Sequence, residues 1–164
     1  MAKTQRVSAG LLMCRRGDGG WEFLLAHPGG PYFVRKDHGA WTLPKGLVDS
    51  AEEELLDAAR REFVEETGFA TPDVHYEPLG HVAQKSGKRV QAWAFVGDCD
   101  PGLLVSNTFE LEWPPRSGKL QAVPEIDRAS FFDLRTARLK LIEAQLPFLD
   151  RALLWLTTDT PSDA

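Results

Sequence analysis

The stretch AEEELLDAARREFVEETGF, residues 51–69, constrains this chain more than any other. At about 100° per residue, Leu55, Leu56, Ala58, Ala59 and Phe63 form one apolar arc of a helix, and Glu53, Glu54, Asp57, Arg60 and Arg61 fall outside it. Glu62 and Glu66 break the pattern. Glu62 lies seven residues after Leu55 and Glu66 seven after Ala59, so both carboxylates occupy the row where core residues belong. Two ionised carboxylates in a water-poor setting repel one another and lose hydration, at a cost of several kcal/mol. A fold that aims them inward must supply a compensating charge.

An acid-rich helix is usually just solvated, and Arg61 with Glu65 makes a good i,i+4 ion pair. The helix by itself leaves that reading open beside a second one. With Glu65 flanking Glu62 and Glu66, three carboxylates share one edge of the helix, and an oxygen-only set of this kind suits a hard divalent cation, above all Mg2+, with Mn2+ as a substitute.

The rest of the chain reads as a mixed sheet covered by helices. Residues 6–15 and 21–27 are β-rich around RRGDGG, a hairpin turn. HPGGPYFVRKDHGAWTLPKG is a structured loop with at most a short strand at AWTL. HYEPLGHVAQ and KRVQAWAFVGD are two strands joined at KSGK, and residues 100–124, punctuated by Pro and Gly, read as irregular. RASFFDL is a further strand. Asp133 can cap a helix over LRTARLKLIEAQ that ends before Pro147, and PFLDRALLWL continues as helix. Length predicts a single domain over residues 1–153, followed by a disordered tail over 154–164.

A net charge of −5 argues against a duplex nucleic acid surface, which needs clustered Lys and Arg, but leaves room for small phosphorylated ligands. Cys14, in an apolar run, and Cys99 read as free thiols, which fits a cytoplasmic protein. The apolar run Ala9 to Cys14 is far too short for a membrane span or a signal peptide core, so no membrane association is expected. His27, His38, His75 and His81 have no metal-ligand spacing, and no Gly-x-Ser-x-Gly stretch marks a serine hydrolase.

Together with LPKGLVDSAEE upstream, the segment GLVDSAEEELLDAARREFVEETGF resembles the Nudix box, the signature of the Nudix hydrolase family. Its second half matches at Arg61, Glu62, Phe63, Glu65, Glu66, Gly68 and Phe69. The first half departs by one residue. The family sets its first glutamate six positions after the glycine and eight before the arginine; from Gly46 this gives Glu52, and back from Arg61 it gives Glu53. Helical phase favours Glu53 as the partner of Arg61, with Glu52 the alternative. HPGGP, the PKG lead-in, EWPPRSGK and PFLDR look like a subgroup of bacterial predicted nucleotide pyrophosphohydrolases, so the resemblance covers residues 6–152.

The resemblance implies an α/β fold, specifically an α/β/α sandwich with a mixed β-sheet between helices. It also implies Mg2+-dependent cleavage of the phosphoanhydride bond in a nucleoside diphosphate linked to a further group X. Glu62, Glu65 and Glu66 are then the metal ligands, supported by Arg61 and Glu53. For the general base outside the box, Glu125 in VPEIDR comes first, followed by Glu110 and Glu112. Lys45, beside Gly46, is the first residue expected to meet a polyphosphate, ahead of Lys36, Arg116 and Lys119. Tyr32, Phe33 and Trp113 could stack on a base, whereas Trp93 fits core packing better. HPGGP reads better as a tight turn than as a phosphate cradle. WTLPKG resembles the approach to the box in dinucleoside polyphosphate hydrolases, which makes a small-molecule nucleotide polyphosphate the expected substrate. The alternative is a catalytically silent Nudix-fold module that binds or senses a nucleotide.

Overall fold

The unbroken apolar run Ala9 to Cys14 forms the middle of β1 (Val7–Gly17), a strand buried on both faces. Its odd residues Ala9, Leu11 and Met13 pack on one side of the sheet, and its even residues Leu12 and Cys14 on the other. The computed structural model describes residues 7–48 and 53–158. Around β1, the strands β2 (Gly20–Pro28), β3 (Lys45–Leu47), β4 (Glu77–Ala83) and β5 (Arg89–Val96) assemble with β8 (Ile126–Asp133). The order is β4-β5-β1-β2-β8, with β3 beside β1. β1 and β5 run parallel and the other pairs antiparallel, so the sheet is mixed.

Helix α1 (Leu55–Thr67) covers one face, where Ala58, Ala59 and Phe63 meet Leu11, Leu24 and Phe95. Helices α2 (Leu134–Lys140) and α3 (Leu146–Thr158) cover the other, where Ala137, Phe148, Leu149 and Ala152 meet Leu12, Phe23 and Ala92. This is the α/β/α sandwich. Phe63 is fully buried with its ring edge-on to Phe95 at 5.8 Å. Phe63→Ala is therefore expected to lower stability by about 3–5 kcal/mol, measured by urea unfolding; a loss too small to detect would mean that α1 is not seated on the sheet.

The structure departs from the sequence reading in four places. β3 was expected as loop: Ser8, Ala9 and Gly10 leave one edge unpaired beyond the end of the β1–β2 hairpin, and Lys45–Leu47 fills it. Residues 100–124 are not irregular throughout, since β6 (Thr108–Glu112) and β7 (Leu120–Pro124) form a separate antiparallel hairpin. α2 stops at Lys140, not Gln145: Leu141 turns extended and buries itself, and the chain pairs with Trp41 through two backbone bonds, Trp41 N–H to Lys140 at 3.0 Å and Ile142 N–H to Trp41 at 2.8 Å. α3 runs through Thr158, past the expected domain end at residue 153, because Ala152 and Leu156 keep its buried face in register. Residues 159–164 lie outside the described residues, as do Arg6, Ser50, Ala51 and Glu52. Among the described residues no helix is long and apolar enough to cross a membrane.

Candidate functional site

Gly68, in the left-handed region at φ 78°, closes α1 with its N–H on the Val64 carbonyl. The helix faces β3 along the row that carries the two inward acids. Glu62 and Glu66 are each only 8% exposed. The Lys45 N–H donates to Glu66 Oε2 at 2.9 Å, and Gly46 supplies space: a Cβ there would lie 1.9 Å from Glu62 Oε2. A glycine is required at that position by close approach.

Burial pushes the Glu66 carboxyl up to about 8, with the charges of Glu62 and Glu125 adding to it and the Lys45 N–H and ammonium opposing it. Burial likewise pushes the Lys45 ammonium down, Lys88 adds like-charge repulsion, and Glu66, Glu125 and Glu62 resist the shift. Arg61 gathers the remaining acids. Its Nε and Nη2 donate to the two oxygens of Glu53 at 2.9 and 3.1 Å, and its Nη1 donates to Glu62 at 2.9 Å and Glu65 at 3.2 Å. These bonds, that to Glu53 first, hold the guanidinium firmly protonated. The pairing of Arg61 with Glu53 follows from the chain path rather than helical phase, because Glu53 precedes the helix and its cap, Glu54.

Glu125 reaches this centre through the backbone. The Asn107 N–H bonds to the Glu65 carbonyl, the Glu125 N–H to the Asn107 carbonyl, and the Gly29 N–H to the Glu125 carbonyl, all at 2.9 to 3.0 Å. A cavity of about 750 Å³ opens between α1, β3 and the loop of residues 29–40. Glu62, Glu65, Glu66 and Glu125 line its acidic side. Lys36, Lys45 and Lys88 line it as well, together with Gly46, Phe33 and His38.

Two of the expected binding residues fall elsewhere. Arg116 sits exposed at the tip of the β6–β7 hairpin, where its N–H bonds to Glu112, and Tyr32 packs edge-on to Trp113 at 5.2 Å instead of facing the cavity. Both follow from the hairpin that the sequence concealed. Glu110, Glu112 and Lys119 share it and do not line the cavity either. HPGGP is a tight turn: the Gly29 N–H is already bonded to Glu125, and a Cβ on Gly29 would meet the Pro124 carbonyl oxygen at 2.1 Å. Lys88 and Asn107 escaped the sequence reading, which weighed His38 only as a metal ligand. Lys88 closes the KSGK turn, and nothing in that turn distinguishes it from a solvated lysine.

The three box acids line the cavity but do not converge on one point. Among the described residues, no three His, Cys, Asp or Glu side chains are gathered closely enough to hold a metal ion. Glu62 and Glu65 are turned onto Arg61, and Glu66 onto the Lys45 N–H. The donor set nevertheless fits a hard divalent cation: every donor is a carboxylate oxygen, and burial disfavours the ionised Glu66 by more than the Lys45 N–H and ammonium offset.

A profile of the NUDIX domain matches residues 4–152. An uncharacterized 17.7 kDa protein encoded in the e-segB intergenic region of Enterobacteria phage T4 is 34% identical over 89 residues, which are 53% of this chain and 57% of that protein. The chain thus spans little more than half the length of that relative. Among solved structures, a binary complex of the C. elegans Ap4A hydrolase superposes with a TM-score of 0.62 at 23% identity, covering 93% of this chain and 98% of that one. The NUDIX domain of Shewanella oneidensis NrtR, crystallised with ADP ribose, superposes with a TM-score of 0.64 at 17% identity, covering 94% and 90%. At these identities the two structures establish a shared fold.

Proposed function

The chain belongs to the Nudix family, and we propose that it is a Mg2+-dependent pyrophosphohydrolase that cleaves the phosphoanhydride bond of a nucleoside diphosphate linked to a further group, with dinucleoside polyphosphates as the first substrates to test. One observation carries this reading: four glutamates and three lysines line a single cavity, and two of those glutamates, Glu62 and Glu66, are nearly buried. A site for a neutral ligand would have no use for that charge. The cavity volume of about 750 Å³ suits a nucleotide-sized ligand, and the TLPKG lead-in favours the dinucleoside class.

Glu62, Glu65 and Glu66 would hold the cation, which, when bound, neutralises a diphosphate and lowers the pKa of water. The chain's own groups do the rest. Arg61, anchored by Glu53, holds Glu62 and Glu65 at the cavity edge. Lys45 and Lys88 offer ammonium groups to phosphate oxygens, and Lys36 does so from the opposite wall. Glu125 lies on the acidic side with its backbone fixed between Gly29 and Asn107, which suits it to take the proton of an attacking water.

The deciding experiment measures nucleotide and phosphate release from a panel of dinucleoside polyphosphates, nucleotide sugars and nucleoside triphosphates, with Mg2+ and with chelator. Turnover that requires Mg2+ is expected. Tight binding without turnover would favour the silent module. Within this reading, Glu53→Gln should cost about tenfold in kcat, because Arg61 loses its strongest anchor. A steady-state rate equal to the parent's would remove Glu53 from the site.

A further inference from the structure

Among the described residues, His27 is the only histidine that the fold buries fully, and the reaction above does not use it. It lies near the end of β2, where the ladder to β8 shifts register between His27 and Pro28. Its Nδ1 is 2.8 Å from Asp127 Oδ1, and its Nε2 is 2.7 Å from the carbonyl oxygen of Lys36. The ring stands edge-on to Trp41 at 5.2 Å. A backbone carbonyl only accepts, and so does an ionised carboxylate. A neutral imidazole has one N–H and would set a lone pair against one of these oxygens. With a proton on each nitrogen, both contacts become hydrogen bonds, one of them charge-assisted.

The two acceptors belong to different segments, each of which contributes to the cavity wall, at Lys36 on one and at Glu125 and Ile126 beside Asp127 on the other. Lys36 belongs to the loop of residues 29–40, which also carries Phe33 and His38. Asp127 is the second residue of β8, two residues after Glu125, which lines the cavity. The loop is tied at its ends, by the Gly29 N–H on the Glu125 carbonyl and the Gly39 N–H on the Leu139 carbonyl, while His27 grips it near Lys36. The other charges around the ring are committed: Arg128, opposite His27 across the ladder, lies over Trp41 at 5.4 Å, and Asp37 takes bonds from Trp41 Nε1 and Lys140.

We propose that His27 is a positioning residue: a buried imidazolium that donates from both ring nitrogens, tying the Lys36 loop to the β8 strand and so setting how tightly the cavity holds its substrate. This rests on the pyrophosphohydrolase reading for its effect on turnover, but not for the state of the ring. Removing the clasp loosens the wall that presents Lys36 and leaves the acids of α1 in place, so the loss falls on substrate binding.

The test combines heteronuclear NMR of the histidine rings with kinetics on the full chain at neutral pH. His27→Gln identifies the His27 signals. Both of its ring nitrogens are expected to carry protons; one bare nitrogen overturns the proposal. Asp127→Ala provides the second variant, since it removes the acceptor at Nδ1 and so frees the β8 end of the clasp while the imidazole stays. Each folded variant should raise KM about tenfold while kcat stays within about twofold, and the Lys36 and Gly39 amides should exchange faster. A lower melting temperature with KM and exchange unchanged would mean a packing role only and overturn the positioning role. If His27→Gln does not fold, Asp127→Ala decides. If the parent turns over no nucleotide in the panel, the hydrolase reading fails, while the ring spectra and amide exchange still judge His27.

Discussion

Glu66→Gln is expected to lower kcat/KM by roughly 10²–10³-fold or more, the scale of losing a charge that neutralises a phosphoryl transition state, while leaving the fold intact. Glutamine keeps the shape and can still accept the Lys45 N–H through its amide oxygen. What it lacks is the negative charge. Because burial pushes the Glu66 carboxyl up to about 8, its ionised form is disfavoured in the folded chain. In chelator at neutral pH the variant should therefore melt no lower than the parent. The two measurements together separate a ligand from a structural acid. Glu62→Gln should match the kinetic loss, although that side chain also gives up part of its bond to Arg61. Either variant with the parent's rate at saturating Mg2+ would show that the inward row does not hold the cation.

The second large effect is expected from Gly46→Ala. Gly46 is not among the residues with positive φ, so alanine fits the backbone there and any loss must come from contact. The added methyl would lie 1.9 Å from Glu62 Oε2 and 2.1 Å from Glu62 Cδ, which forces the carboxylate away from β3. A glutamate end can move cheaply in solvent, but Glu62 is nearly buried and bonded to Arg61, so its movement spoils the acidic side of the cavity. Gly46→Ala should fold, with a melting temperature within a few degrees of the parent's, and lose nearly as much turnover as Glu62→Gln. If the alanine variant turned over substrate normally, the present position of the Glu62 carboxylate would be irrelevant to the reaction.

Where the controlling interactions are local, the sequence carried them. The 3.6-residue period placed Phe63, Glu62 and Glu66 on the buried side of α1, since each residue's direction follows from its neighbours along one helix. The glycine-rich turns located the β1–β2 and β4–β5 hairpins for the same reason. The spacing of Arg61, Glu62, Glu65, Glu66 and Gly68 carried the family, because a helix with a fixed cap cannot shift one of them alone.

Only the tertiary structure decided the rest of the site. β3 has three residues, too few to show a strand period, and exists because β1 offers it an unpaired edge. β6 and β7 are short and largely exposed, so their alternation is faint, and their pairing removed Tyr32 and Arg116 from the cavity. Lys88 enters the site from a turn nineteen residues beyond the box, and His27 meets Asp127 one hundred residues away. Such encounters leave no trace in local periodicity, because their free energy is realised only when distant segments have already been brought together by the sheet.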